Sequence, residues 1–300
     1  MDLRTTLGWF GEDRDVVRVA GPEAVAYVQG QLSQDVEGLA VGASARSFVL
    51  QPTGKVDAWV RVTRTGDDEL VLDVDGGHGE AVVARLRRFL LRTKAEVDPL
   101  DWRTVALRGP GAEDAARTVV PAAGEDDSLA IPAGWPGVEG VDLLGPAPQP
   151  PSGVPEADPG AYESLRIRSG VPRLGAELTE RTIPAEAGQW VVDASVDFTK
   201  GCFTGQELVA RIDSRGGHVP RRLLGLLVGG GEPSPGAALV VEGREVGSVT
   251  SAARTPGADA AEPAHVALAF VGRAVTPPAD GELHAGERTL LVTVVELPIG

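Results

Sequence analysis

From Arg222 to Gly300 the chain is a succession of short apolar runs, LLGLLV, AALVV, EVGSVTSAA, AHVALAFV and TLLVTVVEL, cut apart by glycine and proline. Runs of this length bounded by turn residues are strand signals. Strands in such a series expose unpaired edges unless the sheet closes on itself. The rhythm therefore predicts a small all-β domain, a barrel, over residues 221–300.

The preceding 220 residues alternate differently. DVVRVA (15–20) reads as a strand, and GPEAVAYVQGQLSQDV places Pro22 at a helix start with Ala24, Val25, Val28 and Leu32 at helical spacing. SFVLQ, VDAWVRV and ELVLDVD are strands separated by the turn sequences PTGK and RTGDD. GEAVVARLRRFLLR predicts a helix over 79–92 with Val82, Val83, Leu86, Phe89 and Leu90 on one side. WRTVALRGPGAEDAARTVV adds a strand and a short helix, and PGAYESLRIRSGVP a helix stopped by Gly170 and Pro172. Between these, residues 143–160 (LLGPAPQPPSGVPEADPG) are dense in proline and glycine and read as a loop or linker between two α+β subdomains. The expectation is an α+β protein with an N-terminal region, 1–220, and a β-barrel, 221–300.

A net charge of −15 argues against nucleic acid as a partner, since phosphate binding needs clustered cations. No stretch approaches the roughly 20 apolar residues that span a bilayer, and the N-terminus has no cationic segment followed by an apolar one. A cytoplasmic monomer without a membrane partner is the expectation. The single cysteine, Cys202, excludes an internal disulfide and a thiolate-held cluster or structural zinc. The histidines, His78, His218, His265 and His284, show no metal-ligand spacing.

Cys202 lies in FTKGCFTGQELVARIDSRGG, close to Lys200, one of three lysines in a chain with 25 arginines. Thr204 and Glu207 match a capping box, which would start a helix at Thr204 and place Cys202 two residues upstream of the cap. The orphan N–H groups of a helix start and the Lys200 charge both favour thiolate over thiol. The opposite reading is an inert small hydrophobe packed in the core. Beyond it, Arg211, Arg215, Arg221 and Arg222 concentrate guanidinium groups suited to carboxylate or phosphate recognition, or simply form a solvated basic face.

KGCFTGQE resembles, essentially in full, the K-G-C-[YF]-x-G-Q-E signature of the YgfZ branch of the folate-binding family that also contains the aminomethyltransferase of the glycine cleavage system. VAGPEAVAYVQGQLSQDV, QPTGKV, RIRSGVP, TIPAEAG and RRLLGL extend the resemblance from about residue 15 to the end. It implies a three-part ring, with a ferredoxin-like region, a second α+β region and a C-terminal β-barrel around a central cavity that holds tetrahydrofolate. It also implies a role in assembly or repair of iron-sulfur enzymes, with those enzymes or assembly proteins as partners. Carried over by position, Cys202 is the functional thiol and Lys200 its catalytic neighbour. Gln206 and Glu207 are motif neighbours at the folate, and Arg211, Arg215 and Arg222 attract its glutamate tail. The chain departs from the aminomethyltransferase pattern in having Asp57 where that enzyme carries paired aspartates, and Arg168 where it carries a carboxylate that helps hold the pterin. These losses weaken a one-carbon transferase reading, because proton transfer to a folate nitrogen needs a positioned acid or base.

Overall fold

The computed structural model describes residues 1–120, 128–257, 264–285 and 288–300. Strands β1 (Gly8–Glu12) and β2 (Arg14–Ala20) lead into helix α1 (Ala24–Gln31), followed by the consecutive strands β3 (Ser44–Leu50), β4 (Val56–Gly66) and β5 (Glu69–Asp75). Helix α2 (Gly79–Arg87) precedes β6 (Glu96–Leu100), β7 (Arg103–Arg108), the short α3 (Ala112–Ala116), β8 (Leu129–Pro132) and β9 (Gly140–Gly145). Three helices follow: α4 (Pro159–Arg168), α5 (Gln189–Ser195), entered by a 3-10 turn at Pro184–Ala187, and α6 (Gln206–Ser214). The chain ends in six strands, β10 (Arg221–Val228), β11 (Ala238–Val241), β12 (Arg244–Arg254), β13 (His265–Gly272), β14 (Ala279–Ala285) and β15 (Arg288–Val295).

Two compact units result, Met1–Glu12 with Thr104–Pro172 and Pro220–Gly300 in one, and Asp13–Arg103 with Arg173–Val219 in the other. In the first unit the six C-terminal strands close into a barrel in the order β10-β13-β12-β11-β14-β15. The continuously apolar LLGLLV of β10 has a physical reason. Leu224, Leu226 and Val228 point into the barrel core, while Leu223 and Leu227 pack with Ile167 of α4 on the outside. Both faces of the strand are dry, so alternation disappears. Helix α4 starts where Asp158 accepts a hydrogen bond from the Ala161 N–H at 2.9 Å with Pro159 in the first position, and it stops before Gly170, whose φ is +69°. The proline-rich residues between β9 and α4 join two elements of this same unit, and Leu143–Gly145 of the expected loop lie in β9. A four-stranded sheet, β1-β7-β9-β8, completes the unit.

The second unit is built on the sheet β3-β4-β5-β2-β6. Buried Arg61 and half-buried Arg14 both bond the carboxylate of Asp73, satisfying its charge inside the sheet. Val82, Val83 and Leu86 of α2 are buried as their spacing predicts. The helix expected to reach residue 92 ends at Arg87. The chain then tightens through the Phe89 N–H to Leu86 and Leu90 N–H to Arg87 carbonyl bonds, and Arg92 takes a φ of +65°. The change of direction turns Phe89 outward, to 46% exposure, against the packed position its periodicity suggests. No helix among the described residues is long and apolar enough to cross a membrane.

Candidate functional site

The carbonyls in the last turn of α1 have no partner within the helix. Lys200 meets one of them and two carbonyls that follow the helix: its Nζ donates to the carbonyl oxygens of Gln29, Leu32 and Gln34 at 2.7, 2.8 and 2.7 Å. An ammonium has three protons, and all three are placed. Burial pulls Lys200 down to about 8, against the pull of the Asp35, Asp197 and Glu37 carboxylates, so the group is still protonated at neutral pH. The same ammonium lies 5.5 Å from the centre of the Phe203 ring. Lys200 thus ties the loop between α5 and α6 to the end of α1, rather than standing free beside the thiol.

Other contacts hold the loop at both ends. The Asp197 N–H donates to the Ser33 carbonyl at 3.0 Å, and the Thr204 N–H to the Gly30 carbonyl at 3.4 Å. The Asp197 carboxylate accepts from the Thr199 hydroxyl at 2.7 Å and from the Thr199 and Lys200 N–H groups at 2.6 and 3.1 Å. The Thr199 bonds, first that of its hydroxyl and then that of its backbone, hold the Asp197 carboxyl below its usual range. At the far end, Gly205 has a φ of +82°, and a Cβ there would come within 2.5 Å of the Gln51 carbonyl oxygen and 2.8 Å of Leu50 Cβ. Gly54, in the β3–β4 turn, has a φ of +78°, and a Cβ on it would meet Leu208 at 2.5 Å and the Gly205 carbonyl at 3.1 Å. Two glycines 151 positions apart in sequence allow the turn of QPTGKV and the start of α6 to touch backbone to backbone.

Cys202 is exposed, so the reading of an inert buried thiol does not hold. Nor does the capping box form. Helix α6 begins at Gln206 with Gly205 as its cap in the left-handed region and no side-chain cap bond, which sets Cys202 three residues before the cap. The Gly205–Gly54 contact demands that conformation, and it overrides the local Thr204–Glu207 pattern. Phe203 is the buried anchor of the loop, while a Cβ on Gly201 would meet nothing within 4 Å.

Of the other residues expected at the site, Gln206 opens α6 half-buried, Glu207 and Arg211 are exposed one turn apart on it, and exposed Arg215 follows its last residue. Arg222 belongs to the first unit, on β10, where it pairs with Glu296 at 3.1 Å. Arg168 is also in the first unit, buried, with Nη1 donating to the Gly300 carbonyl at 3.2 Å. Asp57 lies 3.5 Å from Arg85. Sequence reasoning missed the support behind the loop: the Ser33 hydroxyl donates to the Ser195 carbonyl at 2.6 Å, and Trp59 Nε1 donates to the Ser195 hydroxyl at 2.8 Å. Small buried serines carry no periodic signal that could have found them. TIPAEAG joins the same region, since the Thr182 carbonyl accepts from the Val56 N–H at 3.0 Å. No group of three or more metal-ligating side chains occurs among the described residues.

No family model matches the chain. It is 31% identical, over an alignment of 328 residues, to an aminomethyltransferase of Rubrobacter xylanophilus, covering 99% of this chain and 84% of that one. It is 29% identical over 220 residues to a protein of Pyricularia oryzae named iron-sulfur cluster assembly factor IBA57 homolog, mitochondrial, covering 71% of this chain and 55% of that one. In fold it matches the crystal structure of the glycine cleavage system aminomethyltransferase T from Bartonella henselae with a TM-score of 0.77, at 21% identity, over 99% of this chain and 87% of that one.

Proposed function

The chain belongs to the aminomethyltransferase family, and from that premise we propose that it is a tetrahydrofolate-binding accessory protein, a cytoplasmic monomer, for the assembly or repair of iron-sulfur enzymes, with Cys202 as its working thiol. The observation that carries the reading is the exposed thiol on a loop fixed on both sides of it, by Lys200 and by Gly205. An accessible sulfur on a pre-organised loop is suited to meeting a partner enzyme or a small electrophile. The relative of Pyricularia oryzae named for iron-sulfur cluster assembly supports the same choice.

The chemistry of α6 fits a folate. Arg211 and Arg215 present two exposed guanidinium groups, one helical turn apart, to the carboxylates of a glutamyl tail, and the Gln206 amide offers a donor and an acceptor to a ring edge. Bound folate would supply a one-carbon carrier or a sensor ligand beside the thiol. Lys200 acts as a positioning residue, with its protons committed to α1.

The test pairs binding with activity. Anaerobic calorimetric titration with tetrahydrofolate should give the same saturable binding for the wild type and for Cys202→Ala. Cells that lack their own copy and carry Cys202→Ser should lose the activity of four-iron enzymes. Full client activity with the serine variant overturns the thiol role, and absence of binding by the wild type overturns the folate role.

A one-carbon transferase is the second reading, favoured by the identity to an aminomethyltransferase over nearly the whole chain. It predicts methylene- or methyl-tetrahydrofolate formed from a methylated substrate. Against it, Asp57 is a single carboxylate, 3.5 Å from Arg85, where the aminomethyltransferase pattern has a pair.

A further inference from the structure

The end of α2 is a basic stretch of an acidic chain. Residues 79–94 contain Arg85, Arg87, Arg88, Arg92 and Lys94 against one acid, Glu80, while the whole chain carries −15. Arg85 is held internally, donating to Gln31 Oε1 at 3.1 Å, and so is Arg87, which donates to the Val97 carbonyl at 2.9 Å. Arg88 and Arg92 are exposed and have no polar partner among the described residues. Beside them stand Phe89 and Leu91, the latter 86% exposed.

A cleft of about 350 Å³ adjoins this surface. Its helix wall is Ala81, Ala84, Arg85 and Arg88, one stripe at helical spacing, with Val82 beside them, and its other wall is Val49, Asp57 and Ala58 of β3 and β4. The alanines open the recess, and the arginines stand at its rim. Arginine and aromatic side chains around a recess are the composition of protein-binding surfaces.

We propose that this surface docks a short acidic segment of a partner protein, with one apolar side chain seated in the cleft and carboxylates paired with Arg88 and Arg92. Charge and extent together select that occupant. Screening confines the attraction of exposed arginines to about 8 Å at physiological ionic strength, and beyond the patch the net charge of the protein repels anions. A nucleic acid or an anionic bilayer extends past the patch into that repulsion, whereas a short segment does not. A bilayer also has no side chain to fill a recess.

The probe is the fluorescein-labelled peptide acetyl-Glu-Glu-Leu-Glu-Glu-Leu-Glu-Glu-amide, titrated with the full-length protein and followed by anisotropy. Saturable binding that weakens with added salt is expected. Arg88→Glu combined with Arg92→Glu should weaken it by about tenfold, since two attractive pairs become repulsive. Leu91→Ser and the cleft-filling Ala84→Trp should each weaken it by about threefold. Arg244→Glu, an exposed charge on β12, should leave it unchanged. All five positions are exposed, so unchanged circular dichroism separates lost docking from lost folding. Failure of the peptide to bind, or equal binding by all variants, overturns the proposal. Binding to phosphatidylserine vesicles or single-stranded DNA without binding to the peptide overturns it in favour of a lipid or nucleic-acid surface.

Discussion

The barrel of the first unit and the Cys202 loop of the second are held in opposite ways. In the barrel every strand is paired on both sides, and Leu224, Leu226, Val228, Leu239, Val249, Val271 and Leu283 share one core, so no single contact decides the structure. In the loop one aromatic ring is buried, and position is set by an ammonium, a carboxylate and a glycine contact. Stability is spread through the first region and concentrated in a few residues of the second. The loop can therefore lose its geometry while the barrel stays folded, and the barrel can be weakened without moving the thiol.

Gly205→Ala should break this comparison hardest. The new Cβ meets the Gln51 carbonyl at a φ of +82°, and a cost of about 3–4 kcal/mol is expected in urea unfolding of the second unit, with altered alkylation of Cys202 by iodoacetamide. Leu226→Ala in the barrel should cost about 3 kcal/mol through its cavity yet leave the alkylation rate at wild-type level. Equal changes in thiol reactivity from both variants would refute the separation. Lys200→Met leaves three carbonyls without their donor and should cost about 2–3 kcal/mol, with partial rescue by Lys200→Arg. Asp197→Ala removes the bonds to Thr199 and the Lys200 backbone and should cost about 1 kcal/mol. Gly201→Ala, where a Cβ meets nothing, should stay within about 0.5 kcal/mol and so show that the loop's glycines differ in kind.

Much of the architecture was legible because its signals are periodic. The runs after Arg222 announced the barrel, SFVLQ, VDAWVRV and ELVLDVD became β3 to β5, and PGAYESLRIRSGVP became α4, which stops before Gly170. Errors came where a local pattern met a distant neighbour. Thr204 and Glu207 form a capping pattern that the Gly205–Gly54 contact overrides, and Phe89 has the spacing of a buried residue but follows the last turn of α2. KGCFTGQE is an exposed one-cysteine loop joined to a helix, as its pattern suggested, but the partners of Lys200 lie 166 to 171 residues away.

The sequence by itself determined many of the strands and helices, the closed barrel and the family, because hydrophobic spacing, turn residues and a full motif are properties of neighbouring positions. Only the tertiary structure decided that Cys202 is exposed, that Lys200 closes the end of α1, that Gly205 and Gly54 meet, and that Arg88, Arg92 and Leu91 are all exposed. The physical reason is range. A side chain's accessibility and partners depend on which segments pack around it, and short-range pattern carries no information about a backbone contact between residues 151 positions apart.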